Sequence, residues 1–181
     1  MQVATGKSIL NGIAIGPLRI YKKVEAQTAV SSTLTPEEEY ARFDAARVKA
    51  QEQLGVLYDK ALDEVGEDNA AIFEIHQMML DDDDYLDAVR GILETQGATA
   101  EYAASATGEN FAAAFAAMED EYMRARAADV KDISRRVVNV LLGVGDADMM
   151  ADQPAILVAD DLTPSETVQL DKTKLLGFIT R

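Results

Sequence analysis

The feature that most constrains this chain is the run from Glu101 to Leu142. Phe111, Phe115, Met118 and Tyr122, then Ile133, Val137 and Leu141, recur at steps of three and four. That period lays side chains along one face of a helix and predicts a long rod with a packing stripe. Arg126 and Asp129 fall on the same stripe although both are ionisable. A buried charge is costly unless it is paired and hydrogen-bonded. The pair therefore either locks helices together from inside or sits where the stripe emerges at a surface that another molecule meets.

A second rod is announced by Thr35, Pro36 and Glu38: a capping hydroxyl, a proline at the first helical position and an acid three residues after the cap. It runs from 36 to about 65 through Tyr40, Phe43, Leu54, Leu57, Ala61 and Val65, and Gly66 ends it. Two shorter helices lie between the rods. One, over 69–80, carries Ile72, Phe73, His76, Met79 and Leu80 on one arc; the other starts among Asp81 to Asp84, whose charge suits a helix N-terminus, and stops near Gly97. Thr99 can cap the next rod, whose early turns are alanine-rich, and Gly143 and Gly145 close the bundle.

Both ends of the chain have another texture. Ile9, Ile13, Ile15, Leu18 and Ile20, interrupted by Gly12 and Gly16, read as strand, turn and strand over 1–23, with a connector over 24–34. Ala155 to Ala159 reads as a short buried strand, Thr163, Pro164 and Glu166 repeat the capping-box start before a short helix over 164–171, and Leu175 to Thr180 reads as another strand. Neither end can bury its apolar face alone, so the two must meet. The expected fold is mixed α+β/α/β: a helical bundle of two long and two short helices inserted into a small, incomplete α/β unit. The divisions are 1–30 and 146–181 for the α/β parts and 31–145 for the bundle.

Composition narrows the chemistry. The chain of 181 residues has no cysteine and one histidine, which excludes disulfides, thiolate nucleophiles and multi-histidine metal sites. A net charge of −15 disfavours nucleic acid and anionic membranes and favours a partner with a basic face. The Asp81–Asp84 run lacks the alternating ligand spacing of a calcium loop. With no signal peptide and no long apolar run, a cytoplasmic protein is expected.

The run Tyr122 to Arg136, with its Arg-Ala-Ala-Asp core, resembles the signature helix of the N-terminal domain of bacterial enzyme I of the sugar phosphotransferase system, the phosphoenolpyruvate-protein phosphotransferase family. Ala71 to Asp82 resembles that family's first short helix, Gly12 to Gly16 its opening strand and turn, and Ile156 to Glu166, with Asp-Leu-Thr-Pro-Ser, the segment that re-enters the α/β subdomain. The resemblance implies a helical subdomain that docks the phosphocarrier HPr. It also implies an α/β swivelling subdomain whose histidine passes phosphate from phosphoenolpyruvate to HPr. That histidine belongs to a Gly-Gly-x-Thr-Ser-His motif expected after Arg181, and the barrel that binds phosphoenolpyruvate and magnesium is likewise outside this sequence. The chain by itself is therefore expected to be inactive and without a cofactor, and to be monomeric, whereas the full-length enzyme is expected to be a homodimer. The related pyruvate-phosphate-dikinase and phosphoenolpyruvate-synthase family is not expected to carry this bundle.

By the same resemblance, His76, Met79, Asp82, Asp84, Leu86 and Arg126 are the partner-binding candidates. Thr35, Asp129, Thr163 and Glu166 are structural ones, as caps and as an ion-pair partner. His76 has three readings: a helix-face residue serving both packing and the HPr surface, a core-edge residue, or a nucleophile, the last disfavoured by its mid-helix place beside Ile72 and Phe73. The aspartate run is either a solvated helix start or an acidic rim for a basic patch. Arg126 is either a lock with Asp129 or a contact near the transferred phosphate. A stand-alone, non-catalytic binding module is the competing view of the whole chain.

Overall fold

A computed structural model of the chain describes residues 6–9, 12–22, 28–144 and 153–180. Chain contacts divide it into two units, one from Met1–Lys22, Asp148–Asp161 and Leu170–Arg181, the other from Lys23–Ala147 and Leu162–Gln169. Leu162–Gln169 goes with the helices, not with the strands on either side of it.

The helical unit begins at α1 (Pro36–Val65), and its start is as the sequence predicts. The Thr35 hydroxyl accepts from the Glu38 amide at 3.3 Å, and the Glu38 carboxylate accepts from the Thr35 amide at 2.9 Å. Gly66 ends the helix with a φ of 86°, a region an L side chain rarely enters. Then come α2 (Glu67–Leu80) and α3 (Asp83–Gln96), the latter capped by Asp82. Phe43, Ala50, Leu54 and Ala61 of α1, Phe73 and Leu80 of α2, and Tyr85, Val89 and Leu93 of α3 are buried together. Val65, expected at this contact, is 46% exposed.

The long rod is two helices, α4 (Ala100–Ala116) and α5 (Glu121–Leu142). Asp120 is the reason. Its side chain accepts from the Met123 amide at 3.0 Å, an N-cap that restarts the helix after a turn. Reversal places the two stripes face to face instead of end to end, so the bundle has five helices where two long and two short ones are expected. The stripe residues at the break do not pack: Met118 is 39% and Tyr122 64% exposed. Further along, the helices approach closely at Gly108, where an added Cβ would lie 2.5 Å from Ser134 Cβ. The Ser134 hydroxyl in turn meets the buried Tyr85 hydroxyl at 2.8 Å.

A short α6 (Pro164–Gln169) completes this unit. The Thr163 box forms, its amide donating to Glu166 at 2.8 Å, and Ser165 donates to the Asp132 carboxylate on α5 at 2.5 Å. That buried bond and the packing of Val168 on the core explain why α6 belongs with the bundle.

The other unit is a three-stranded parallel sheet in the order β1 (Leu18–Ile20), β2 (Ala155–Val158), β3 (Leu175–Ile179). Leu18 pairs Ile156 and Ile20 pairs Val158; Ile156 pairs Gly177 after an irregularity at Ala155. The central strand is buried as expected, with Leu157 fully covered. The two-strand reading of the first residues is corrected. Among the described residues of this stretch, Leu18–Ile20 is the only strand, while Ile9, Ile13 and Ile15 are 88% or more exposed. The segment before β1 runs against β3 instead of pairing, since a Cβ added to Gly177 would be 3.7 Å from Ala14 Cβ. Residues 1–5, 10 and 11, also read as β, lie outside the described residues, as does Gly145.

Candidate functional site

The sequence-predicted partner-binding candidates lie on α2, α5 and α3 with its cap; α2 packs on both of the others, and α3 meets α5 through Tyr85 and Ser134. At their centre is Asp129. On α5 it stands one turn after Arg126, so the i,i+3 spacing brings the guanidinium to its carboxylate at 2.9 Å. Arg126 also donates to the Tyr122 hydroxyl one turn earlier, and its guanidinium carbon lies 4.4 Å from the centre of the Tyr122 ring. Tyr122 thus serves as an exposed platform for the cation. Sequence reasoning placed it on the core stripe, although its i,i+4 spacing from Arg126 was a visible signal for this pairing.

The other oxygen of Asp129 faces α2, where His76 Nε2 lies 3.3 Å away. The imidazole is fully buried, with the Phe73 ring edge-on at 6.1 Å. Neither ring nitrogen makes an aligned hydrogen bond, so the contact with Asp129 is one of proximity. The expectation that His76 touches a partner directly meets this burial: its arc of α2 faces α5, and only a neighbour in contact with it could transmit its effect.

Burial alone would raise the Asp129 carboxyl, but the imidazole and then the Arg126 guanidinium favour its charged form and hold it below the usual carboxylate range. Arg126 is likewise opposed by burial and held more basic than usual by Tyr122 and Asp129.

The remaining candidates surround this centre differently. Met79 and Leu86 are half-buried and pack on the core. Met78, passed over in the sequence, is 71% exposed and is the outward methionine of α2. Asp82 is exposed, yet its carboxylate caps α3 by accepting from the Asp84 amide at 3.0 Å. Asp81 pairs with Arg47, and Asp83 and Asp84 are exposed in the first turn of α3. One stretch therefore serves both as helix start and as an acidic surface. Among the described residues no group of three or more His, Asp or Glu is placed to hold a metal ion, and no helix is long and apolar enough to cross a membrane.

A second ionic cluster, missed in the sequence, lies elsewhere in the bundle. Glu39, 1% exposed, accepts from the Ser32 hydroxyl, from Arg42 at 2.5 Å and from the Ala100 amide at 2.9 Å, and Arg42 also binds Glu101. Its partners come from three separate segments, so no local pattern announces it.

Residues 5–126 match the family described as PEP-utilising enzyme, N-terminal. The chain is 37% identical over 176 residues to a phosphoenolpyruvate-protein phosphotransferase of Bacillus sp. (strain S), covering 97% of this chain and 30% of that protein. It is 36% identical over 181 residues to the protein of the same description from Bacillus subtilis (strain 168), covering 99% and 32%. The chain thus spans less than a third of the length of these relatives. Among solved structures, the solution structure of Enzyme I (nEIt) superimposes with a TM-score of 0.75 at 34% identity, over 92% of this chain and 68% of that one. The N-terminal domain of Enzyme 1 - Nitrogen shares the fold, with a TM-score of 0.67 at 24% identity, over 92% and 68%. The family match and the likeness to these relatives along nearly the whole chain, helices and strands alike, show that the chain belongs to the N-terminal domain family of PEP-utilising enzymes that includes Enzyme I.

Proposed function

We propose that this chain supplies the docking surface for the phosphocarrier HPr within a phosphoenolpyruvate-protein phosphotransferase. The complete enzyme moves a phosphoryl group from phosphoenolpyruvate, with magnesium, through a histidine of its swivelling domain to a histidine of HPr. The observation that carries the reading is Arg126. Its guanidinium is anchored on Asp129 and Tyr122 at the start of α5, in the same three-helix cluster as the exposed acids that open α3 and the outward Met78 of α2. A partner with a basic rim and an apolar centre would match this surface, and a fixed guanidinium suits a carboxylate or phosphoryl oxygen. The acids would act mainly on the rate of encounter.

His76 does not serve as the phosphoacceptor in this reading. A nucleophilic imidazole needs an exposed nitrogen, and this one has no exposed surface. The chain itself is then a monomeric, non-catalytic docking element of a cytoplasmic enzyme, and dimerisation belongs to the complete protein.

Titrating the isotope-labelled chain with HPr tests the reading. Resonances of α2, α3 and the first turns of α5 should move, and the affinity should fall as salt is raised. Absence of binding, or perturbation confined to the sheet unit, overturns it. Exposure to labelled phosphoenolpyruvate should leave His76 unlabelled.

A further inference from the structure

Asp129 divides its two oxygens between two cations of different kind. One meets Arg126, which always carries its charge; the other meets His76, which carries a charge only when a proton is bound. Arg126 keeps 14% of its side chain exposed and donates to a tyrosine that is 64% exposed, whereas His76 is sealed inside. The two contacts also differ in quality. The guanidinium is at full hydrogen-bond distance, 2.9 Å, and the imidazole is at 3.3 Å without alignment.

The other elements offer His76 no alternative. From α1, Arg47 is turned to Asp44 and Asp81. From α3, Asp83 and Asp84 open the helix at the surface. On its own helix the nearest aromatic neighbour is Phe73. Among the described residues, Asp129 is the only acidic group within ion-pair distance of the ring. Any charge on the imidazole rests on that carboxylate.

We propose that Arg126 and His76 compete for Asp129, so that a docked partner whose oxyanion draws Arg126 outward leaves Asp129 to His76 and brings a proton onto the imidazole. This rests on the docking reading above and makes His76 its positioning residue. The exchange balances. One positive charge leaves the Asp129 carboxylate for the partner's anion, and one arrives as a proton from solvent on the imidazole, with no other bond made or broken. The buried carboxylate never stands uncompensated, a state that is strongly destabilising. Docking is then linked to proton uptake, so the affinity rises as pH falls.

His76 is the chain's single histidine, so its ring resonances are unambiguous in the intact chain. In Arg126→Gln the competitor and its charge are gone, and the midpoint of the His76 titration should rise by roughly one unit; in Asp129→Asn it should fall. An unchanged midpoint in Arg126→Gln overturns the competition, provided the amide spectrum shows the variant folded. Should the variant fail to fold, the wild-type chain decides the matter, saturated in turn with HPr and with phosphorylated HPr. A rise with both assigns the oxyanion to a carboxylate of the carrier, and a rise with the phosphorylated form alone assigns it to the phosphoryl group. Saturation by both forms with no movement of the midpoint overturns the proposal. If neither form binds, the docking reading has failed, while the Arg126→Gln titration still decides whether the two cations compete.

Discussion

Glu39 and Asp129 are both carboxylates buried in the helical unit, and they resolve the cost of burial differently. Glu39 is surrounded by donors from three segments, including the amide of Ala100 at the start of α4. Asp129 is shared between a guanidinium at the bundle's edge and an imidazole that makes no aligned hydrogen bond. A saturated carboxylate holds its neighbours in one arrangement, because every alternative leaves a buried donor unpaired. A divided one can change partners at smaller cost. The first ties the connector, α1 and α4 together; the second lies where a partner is proposed to bind.

The largest expected effect tests the saturated side. Glu39→Gln removes the charge opposite Arg42 and turns an N–H2 toward one of the three buried donors, and should cost about 3 kcal/mol in a urea titration, a value near 0.5 kcal/mol showing that the cluster is not a lock. Its pH dependence has a definite sign. Burial raises the Glu39 carboxyl, but Ser32, the Ala100 amide and Arg42 together bring it below the ordinary range. A group with a lowered folded value stabilises fully above its unfolded value and loses that contribution as pH falls through the folded one. The deficit of Glu39→Gln at pH 7 should therefore shrink below about pH 4.

Next in size is Gly108→Ala. The added methyl would strike Ser134 on the facing helix, and about 2 kcal/mol of lost stability is expected even though alanine favours helix. Unchanged or increased stability would mean that the α4–α5 seam can open, blurring the contrast between the two regions.

On the divided side the effects move from stability to binding. Arg126→Gln should cost less stability than Glu39→Gln, because a proton on His76 can replace the lost charge opposite Asp129, yet weaken HPr binding about tenfold in calorimetry. A large stability loss with unchanged affinity would make Arg126 a lock like Arg42. Smallest of all, Asp84→Asn should slow association with HPr about twofold at low salt and hardly at all at high salt, measured by stopped flow.

Much of this architecture was legible because its determinants are local. The Thr35, Thr99 and Thr163 caps, Gly66 and Gly143 at helix ends, and the strands at Ala155 and Leu175 each carry their signal within a few residues. The errors came where a local pattern has two outcomes. An unbroken three-and-four period cannot distinguish one rod from two antiparallel helices, and a single N-cap at Asp120 decided between them. Alternating isoleucines cannot tell a paired strand from an extended segment crossing a sheet.

The site divides along the same line. The sequence by itself determined the family, the placing of Arg126 and Asp129 one turn apart on one stripe, and the acidic start of α3, since each rests on neighbours along the chain. Only the tertiary structure decided that His76 is sealed against Asp129, that Tyr122 is exposed beneath Arg126, and that Glu39 rather than Asp129 is the saturated carboxylate. The reason is physical. Burial and the sharing of a charge depend on which helices come to lie side by side, and residues far apart in the chain leave no mark of that on one another until they pack.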